Sequence, residues 1–241
     1  MLLLLLGLAL GLGSAMVVLV AKRPRHSSLS VLHRRRGGAR PAAPIRSSPI
    51  FSRPFCWLSI RSRNLQAVQA AFGLHNPKPC SWLNGLAGEE KLFIAPPVKG
   101  WIIVVGSGLP DPTDDVDAAF RFIMALSRKF GEVQCFSANR VLQHHAWVKA
   151  ESGRVVRAYA WAGRTLWKQG RRTPAERELD VVCFDYAQAE CQPLLGGFDV
   201  PAANVEKVPL LAARWSLDPA AIDEHFLVEG RGVAGEPSRH Y

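Results

Sequence analysis

The sequence predicts an α+β domain in which a ferredoxin-like split βαβ core is followed by an antiparallel meander and C-terminal helices. Three observations lead there. Between Phe55 and Phe136 the apolar pattern runs strand, helix, strand, strand, helix, strand. Beyond it, short aromatic and β-branched runs alternate with Gly-containing turns. Hydrophobic content is 48% and charged content 21%, values that go with a packed core.

Each element has its own signal. Phe55 to Ile60 is a short aromatic and β-branched run, read as the first strand. Asn64 caps a helix whose Leu65, Val68, Ala71 and Phe72 recur at helical spacing, and Gly73 ends it. The stretch His75 to Pro79 breaks structure, and Cys80 to Leu86 adds a helical turn. Leu92 to Ile94 and Trp101 to Val105 are strands joined by an open loop containing Pro96 and Pro97. The clearest helix starts after the acidic stretch Asp111 to Asp115, carries Val116, Ala119, Phe120, Ile123 and Phe130 on one face, and stops at Gly131.

Glu132 to Phe136 reads as a strand, and short antiparallel strands follow around Ala146 to Val148, Arg154 to Trp161 and Arg164 to Trp167. Thr173-Pro174-Ala175-Glu176 has the spacing of a capping box with proline at the first helical position. Val181 to Phe184 is a short apolar run. Val205 to Trp215 is helical, interrupted by Pro209, and a second helix starts at Asp218.

The charge is unevenly placed. The formal net charge is +10, yet nine Lys and Arg fall between Lys22 and Arg53, where there is no acid. From Phe55 onward 21 basic residues face 20 acidic ones, so the folded domain has no basic surplus with which to bind nucleic acid. Leu2 to Ala21 carries no charge and, at helical rise, spans a bilayer core. With basic residues directly behind it, the segment predicts a single-pass anchor and a cytoplasmic C-terminal domain. A cleaved signal peptide and a misplaced start, which leaves the domain simply cytoplasmic, are the competing readings. The expected organisation is therefore residues 1–21 as hydrophobic leader or transmembrane anchor, 22–54 as basic disordered linker, 55–229 as the α+β domain and 230–241 as a flexible tail. Five widely spaced cysteines form neither a zinc ladder nor a full disulfide framework, and are read as reduced, mostly buried thiols.

No motif names a reaction. Gly106-Ser107-Gly108 ends an apolar strand but lacks the third glycine of a dinucleotide loop, and two prolines separate it from the helix. Asp111, Asp114, Asp115 and Asp117 could hold a hard cation, but acids that offset the helix dipole explain the same residues. Cys135, His144 and His145 are the catalytic candidates, as metal ligands or as a Cys/His nucleophile pair. Adjacent residues on a strand point to opposite faces, which separates the two histidines. Arg157, Tyr159 and Trp161 share one face of the meander and have the composition of a protein-binding hot spot. No pattern asks for a cofactor or a metal.

The segments LSRKFGEVQCF, HAW, SGRVVRAYAWAG and G-x-x-T-P-x-E, with the later LAARWSLDP, resemble an uncharacterised bacterial domain family with an immunity-protein character. The resemblance covers about half of the chain and brings no catalytic residue with it. It implies a protein partner. The expectation is a membrane-tethered protein-binding domain, for which the resemblance implies an immunity type, and the alternative is a small hydrolase or metal-dependent enzyme.

Overall fold

The computed structural model describes residues 55–87, 91–186, 200–217 and 230–238. The leader, the linker, Cys191 and the helix expected from Asp218 lie outside the described residues.

Alternation of side chains along extended segments builds the framework. Strands β1 (Phe55–Arg61), β2 (His75–Ser81), β3 (Leu92–Ile94), β4 (Trp101–Val105) and β5 (Glu132–Asn139) are joined by β6 (His144–Glu151), β7 (Arg154–Trp161), β8 (Thr165–Gln169) and β9 (Arg231–Glu236). They form one sheet in the order β2-β9-β3-β4-β1-β5-β6-β7-β8, with every neighbouring pair antiparallel. Among the described residues five helices accompany them: α1 (Leu65–Phe72), α2 (Trp82–Ala87), α3 (Val116–Phe130), α4 (Pro174–Glu178) and α5 (Val200–Trp215). This is an α+β domain dominated by a large antiparallel sheet.

Both faces of the sheet are covered, so strands such as β4 are buried at every position. One core holds Leu58, Ile60, Ile102 and Val148 from the sheet against Val68 and Phe72 of α1 and Phe122, Ile123 and Leu126 of α3. The other holds Trp57, Phe136, Trp147 and Tyr159 against Trp82 of α2 and Val205, Val208 and Leu211 of α5. Period-two alternation assigns the faces: Trp57 and Phe136, direct partners on β1 and β5, belong to the second core, and their neighbour Leu58 belongs to the first.

The helix ends follow local chemistry. Asn64 Oδ1 accepts from Ala67 N at 2.9 Å, and Asp115 Oδ1 accepts from Ala118 N at 2.9 Å. The β6–β7 turn places Ser152 at φ 48° and Gly153 at φ 77°, the two positive values that a tight hairpin requires. Pro209 lies inside α5 without ending it, and that helix begins at Val200 instead of Val205.

Two expectations on local structure are corrected. His75 to Pro79 does not break structure but lies in β2, where Pro77 and Pro79 sit on an outer strand that needs fewer backbone donors. The Gly-rich stretch expected as a tail contains β9, which inserts between β2 and β3. Gly232 and Gly235 suit that slot, because a Cβ at either would meet the carbonyl oxygen of Ile94 or of His75 at 2.3 and 2.8 Å.

The expected membrane anchor is corrected as well. Among the described residues no helix is long and apolar enough to cross a membrane. The longest of them, α5, has 16 residues, against the roughly 20 apolar residues that a bilayer core demands. The described residues thus supply no helix for the single-pass topology, the signal anchor or the membrane as a partner.

Among the described residues the only strand that pairs with β2 is β9. Removing residues 230–241 is expected to release β2 with it and to lower stability by more than about 3 kcal/mol, or abolish the cooperative transition, in urea unfolding followed by circular dichroism. An unchanged midpoint would show that the strand is dispensable.

Candidate functional site

A dense cluster of buried polar side chains lies under α4 and α5, in the second core. Its first member is Arg157 on β7, placed by alternation on the same face as Tyr159 and Trp161. The three residues do share a face, as the sequence predicts, but that face is inside: Arg157 is 1% exposed, and Tyr159 and Trp161 are buried with it.

Arg157 is fully engaged. Its Nε and Nη2 donate to Glu176 Oε1 at 2.8 and 2.7 Å. Nη1 donates to the carbonyls of Ala158 and Gln169 at 2.9 and 3.0 Å, and Nη2 also reaches Cys183 Sγ at 3.1 Å. Glu176, itself 0% exposed, accepts in addition from Trp147 Nε1 at 2.8 Å and from Thr173 N at 2.7 Å. The Thr173 contact is one half of the capping box; Thr173 Oγ1 returns the bond by accepting from Glu176 N at 3.2 Å. Burial pushes the Glu176 carboxyl up, but the bonds from Arg157, Thr173 and Trp147 outweigh it and leave the group below the usual range. Burial drives the Cys183 thiol up to about 11 despite the neighbouring guanidinium, so it is no nucleophile at neutral pH.

The apolar run at Val181 to Phe184 lies across this cluster without a strand neighbour. Side chains satisfy its backbone instead. Asn204 of α5 accepts from Val182 N at 3.1 Å and donates to Val182 O at 2.7 Å. Tyr159 Oη accepts from Phe184 N at 3.1 Å, and Thr165 Oγ1 donates to Phe184 O at 3.0 Å. Burial pushes the Tyr159 phenol up to about 12, which keeps it protonated.

His145 completes the cluster from β6. Its Nδ1 lies 3.0 Å from the Gln143 carbonyl, which can only accept, so the ring proton sits on Nδ1. Nε2 is left to accept from Asn204 Nδ2 at 3.3 Å. Burial lowers its pKa to about 4, only partly offset by the Gln143 contact. Both ring nitrogens are committed, and the buried ring packs against Trp147 and Tyr159.

The catalytic candidates are not brought together. His145 faces the α5 core, while Cys135 belongs to the α3 core on the opposite side of the sheet. His144 has the parity of Cys135 but pairs with Asn139, four residues away along β5, or roughly 13 Å. Among the described residues no group of three or more His, Cys, Asp or Glu could hold a metal ion. The metal-dependent alternative is corrected on that finding, and the Cys/His pair of the hydrolase reading is corrected on the placement of its residues.

The acidic cluster has local duties. Asp111 Oδ1 accepts from Thr113 N and Oγ1, both at 2.8 Å, and Oδ2 accepts from Ser137 Oγ at 2.7 Å; Asp115 caps α3. At Gly106, φ is 147° and a Cβ would lie 2.1 Å from the Lys91 carbonyl, so this loop serves close packing against the start of β3. Of the described cysteines Cys135 is buried and Cys56, Cys80 and Cys183 are half-buried, and none of these four is in a disulfide.

No family model, curated protein or solved structure matches the chain.

What sequence reasoning missed was the surface at the β5–β6 turn. Val141 is 81% exposed and Leu142 58%, two adjacent large aliphatics at a hairpin tip. Asn139 Oδ1 organises the turn by accepting from Val141 N at 3.1 Å and Leu142 N at 3.0 Å. Arg140 ties it to α5 through a two-pronged ion pair with Glu206 at 2.6 and 2.7 Å. The signal was present as apolar residues inside a turn, where polar ones are the rule.

Two outcomes are expected here. Arg157→Ala leaves Glu176 buried and uncompensated and should cost about 3–5 kcal/mol in chemical denaturation. With Glu176→Ala added, the losses should fall well short of additive. For His145, the unfolded chain takes up its proton near 6.5 and the folded chain only near 4. Acid therefore favours the unfolded chain in that window, and stability present above pH 6.5 is lost as pH falls toward 4. The gap between wild type and His145→Gln should change by about 3 kcal/mol across it. Parallel pH–stability curves would rule out a buried neutral histidine.

Proposed function

We propose that this domain is a non-catalytic protein-recognition module that meets its partner at the β5–β6 hairpin tip. The observation that carries this reading is the paired exposure of Val141 and Leu142 on a turn tied by Asn139 and by the Arg140–Glu206 ion pair. Exposed apolar side chains cost solubility, and held in place they lose little conformational freedom when a partner covers them. The immunity-protein character of the resembled family makes a protein that is neutralised on binding the partner class.

The sheet edges favour the tip as the contact. At the β8 edge, Lys168 N donates to Tyr186 Oη at 2.8 Å, and that hydroxyl donates back to Lys168 O at 3.2 Å. The opposite edge, β2, carries Pro77 and Pro79. Both devices work against addition of a partner strand.

We also read the core as ferredoxin-like. Its support is the strand order β3-β4-β1-β5, together with α1 and α3 packed on one face.

Val141→Glu and Leu142→Glu test the function. Both sites are exposed, so stability should stay within about 0.5 kcal/mol of wild type. A partner captured from the native cell by the full chain should bind at least about tenfold more weakly to either variant, a loss of about 1.4 kcal/mol. Capture that survives both substitutions would sink the proposal.

A further inference from the structure

In the middle of the sheet, β1 and β5 set two fully buried polar side chains opposite each other. Ser59 pairs in register with Gln134. Both share strand parity with Trp57 and Phe136 and so face the core covered by α5.

The Gln134 amide has one acceptable orientation. Its Nε2 donates to Glu132 Oε1 at 3.1 Å and to the Trp215 carbonyl at 3.2 Å. Turning the amide over would set an oxygen against two acceptors. Oε1 therefore points away from both. Among the described residues Gln134 Oε1, Ser59 Oγ and Ser216 Oγ are buried and have no hydrogen-bond partner. Ser216 directly follows the Trp215 carbonyl that receives the amide, and its own N donates to Ala212 O at 2.7 Å, which holds it at the end of α5. The Ser59–Gln134 pairing and the Gln134–Trp215 contact thus bring the three residues together between the sheet and the helix end.

Leaving them unmet is costly in a core whose other polar cluster is so completely paired. Their chemistry defines what fits. Two hydroxyls can each donate and accept, and the amide oxygen accepts only. None of the three is charged, which favours a neutral ligand over an ion. Stacked Trp57 and Phe136, 5.1 Å apart, and Trp215, 5.8 Å from Phe136, close the surroundings with aromatic rings.

We propose that Ser59, Gln134 and Ser216 form an internal hydration site holding one ordered water. The water donates to Gln134 Oε1 and to one serine oxygen and accepts from the other hydroxyl. Three partners is the usual complement of a buried water. The site fastens the C-terminal end of α5 to β1 and β5, as Asn204 fastens its N-terminal half to Val182 and His145.

A high-resolution crystal structure of the full chain should show one compact density peak roughly 2.7–3.2 Å from all three atoms. In solution, the side-chain amide protons of Gln134 should show magnetisation transfer from a long-lived water. Ser59→Ala combined with Ser216→Ala should abolish that transfer while circular dichroism stays native. Should the double variant fail to fold, the wild-type density decides alone. Absence of density, direct Ser–Gln hydrogen bonds in its place, or density for a larger molecule would each overturn the proposal.

Discussion

The buried ion pair between Arg157 and Glu176 is the constraint on which the second core is organised. Taking both charges out of water costs several kcal/mol per ion, and only near-complete hydrogen bonding offsets it. Every direction of the guanidinium is accordingly used, and the carboxylate collects a guanidinium, an indole and a backbone amide. The pair also dictates geometry. Because Glu176 is fixed by its own capping box, α4 can dock on the sheet in only one register. Once α4 is docked, the chain leaving it runs over Tyr159 and Thr165, and α5 closes over that chain through Asn204. Polar specificity and apolar burial act together here: the rings of Trp147, Tyr159 and His145 pack beside the very groups that they help to satisfy.

The opposite face is simpler. There α1 and α3 lay aliphatic and phenylalanine side chains on the sheet, with Phe72 edge-on to Phe122 at 5.6 Å. No charged pair is buried in that layer among the described residues. One face is thus specified by volume and the other by hydrogen-bond geometry, a division that lets an apolar sheet choose a single arrangement of its helices.

Elements with a local signature were legible in the sequence. The Asn64 cap, the Asp-rich start of α3, the Ser152–Gly153 turn and the Thr173–Glu176 box all act over a few residues, and all stand where the pattern puts them. Long-range relations were not. Nothing local in SGRVVRAYAW says that Arg157 will meet a carboxylate 19 residues on, so alternation correctly placed Arg157, Tyr159 and Trp161 on one face but could not say that α4 and α5 cover it. The same limit hid the separation of Cys135 from His145 and the pairing of β2 with β9, whose prolines and glycines read as loop and tail. Val141 and Leu142 do carry a local signal, as apolar residues in a turn, but only the fold shows that nothing among the described residues covers them.

The position of β9 has a consequence for how the protein is made. It is the last of the described strands to leave the ribosome, yet it lies between β2 and β3, which are synthesised more than 130 residues earlier. Until β9 emerges, β3 must present an open edge and β2 must wait without a sheet to join. The nascent chain is therefore most vulnerable to wrong pairing in the interval before β9 is made, and a holdase-type chaperone that shields a β-edge would have its greatest effect then.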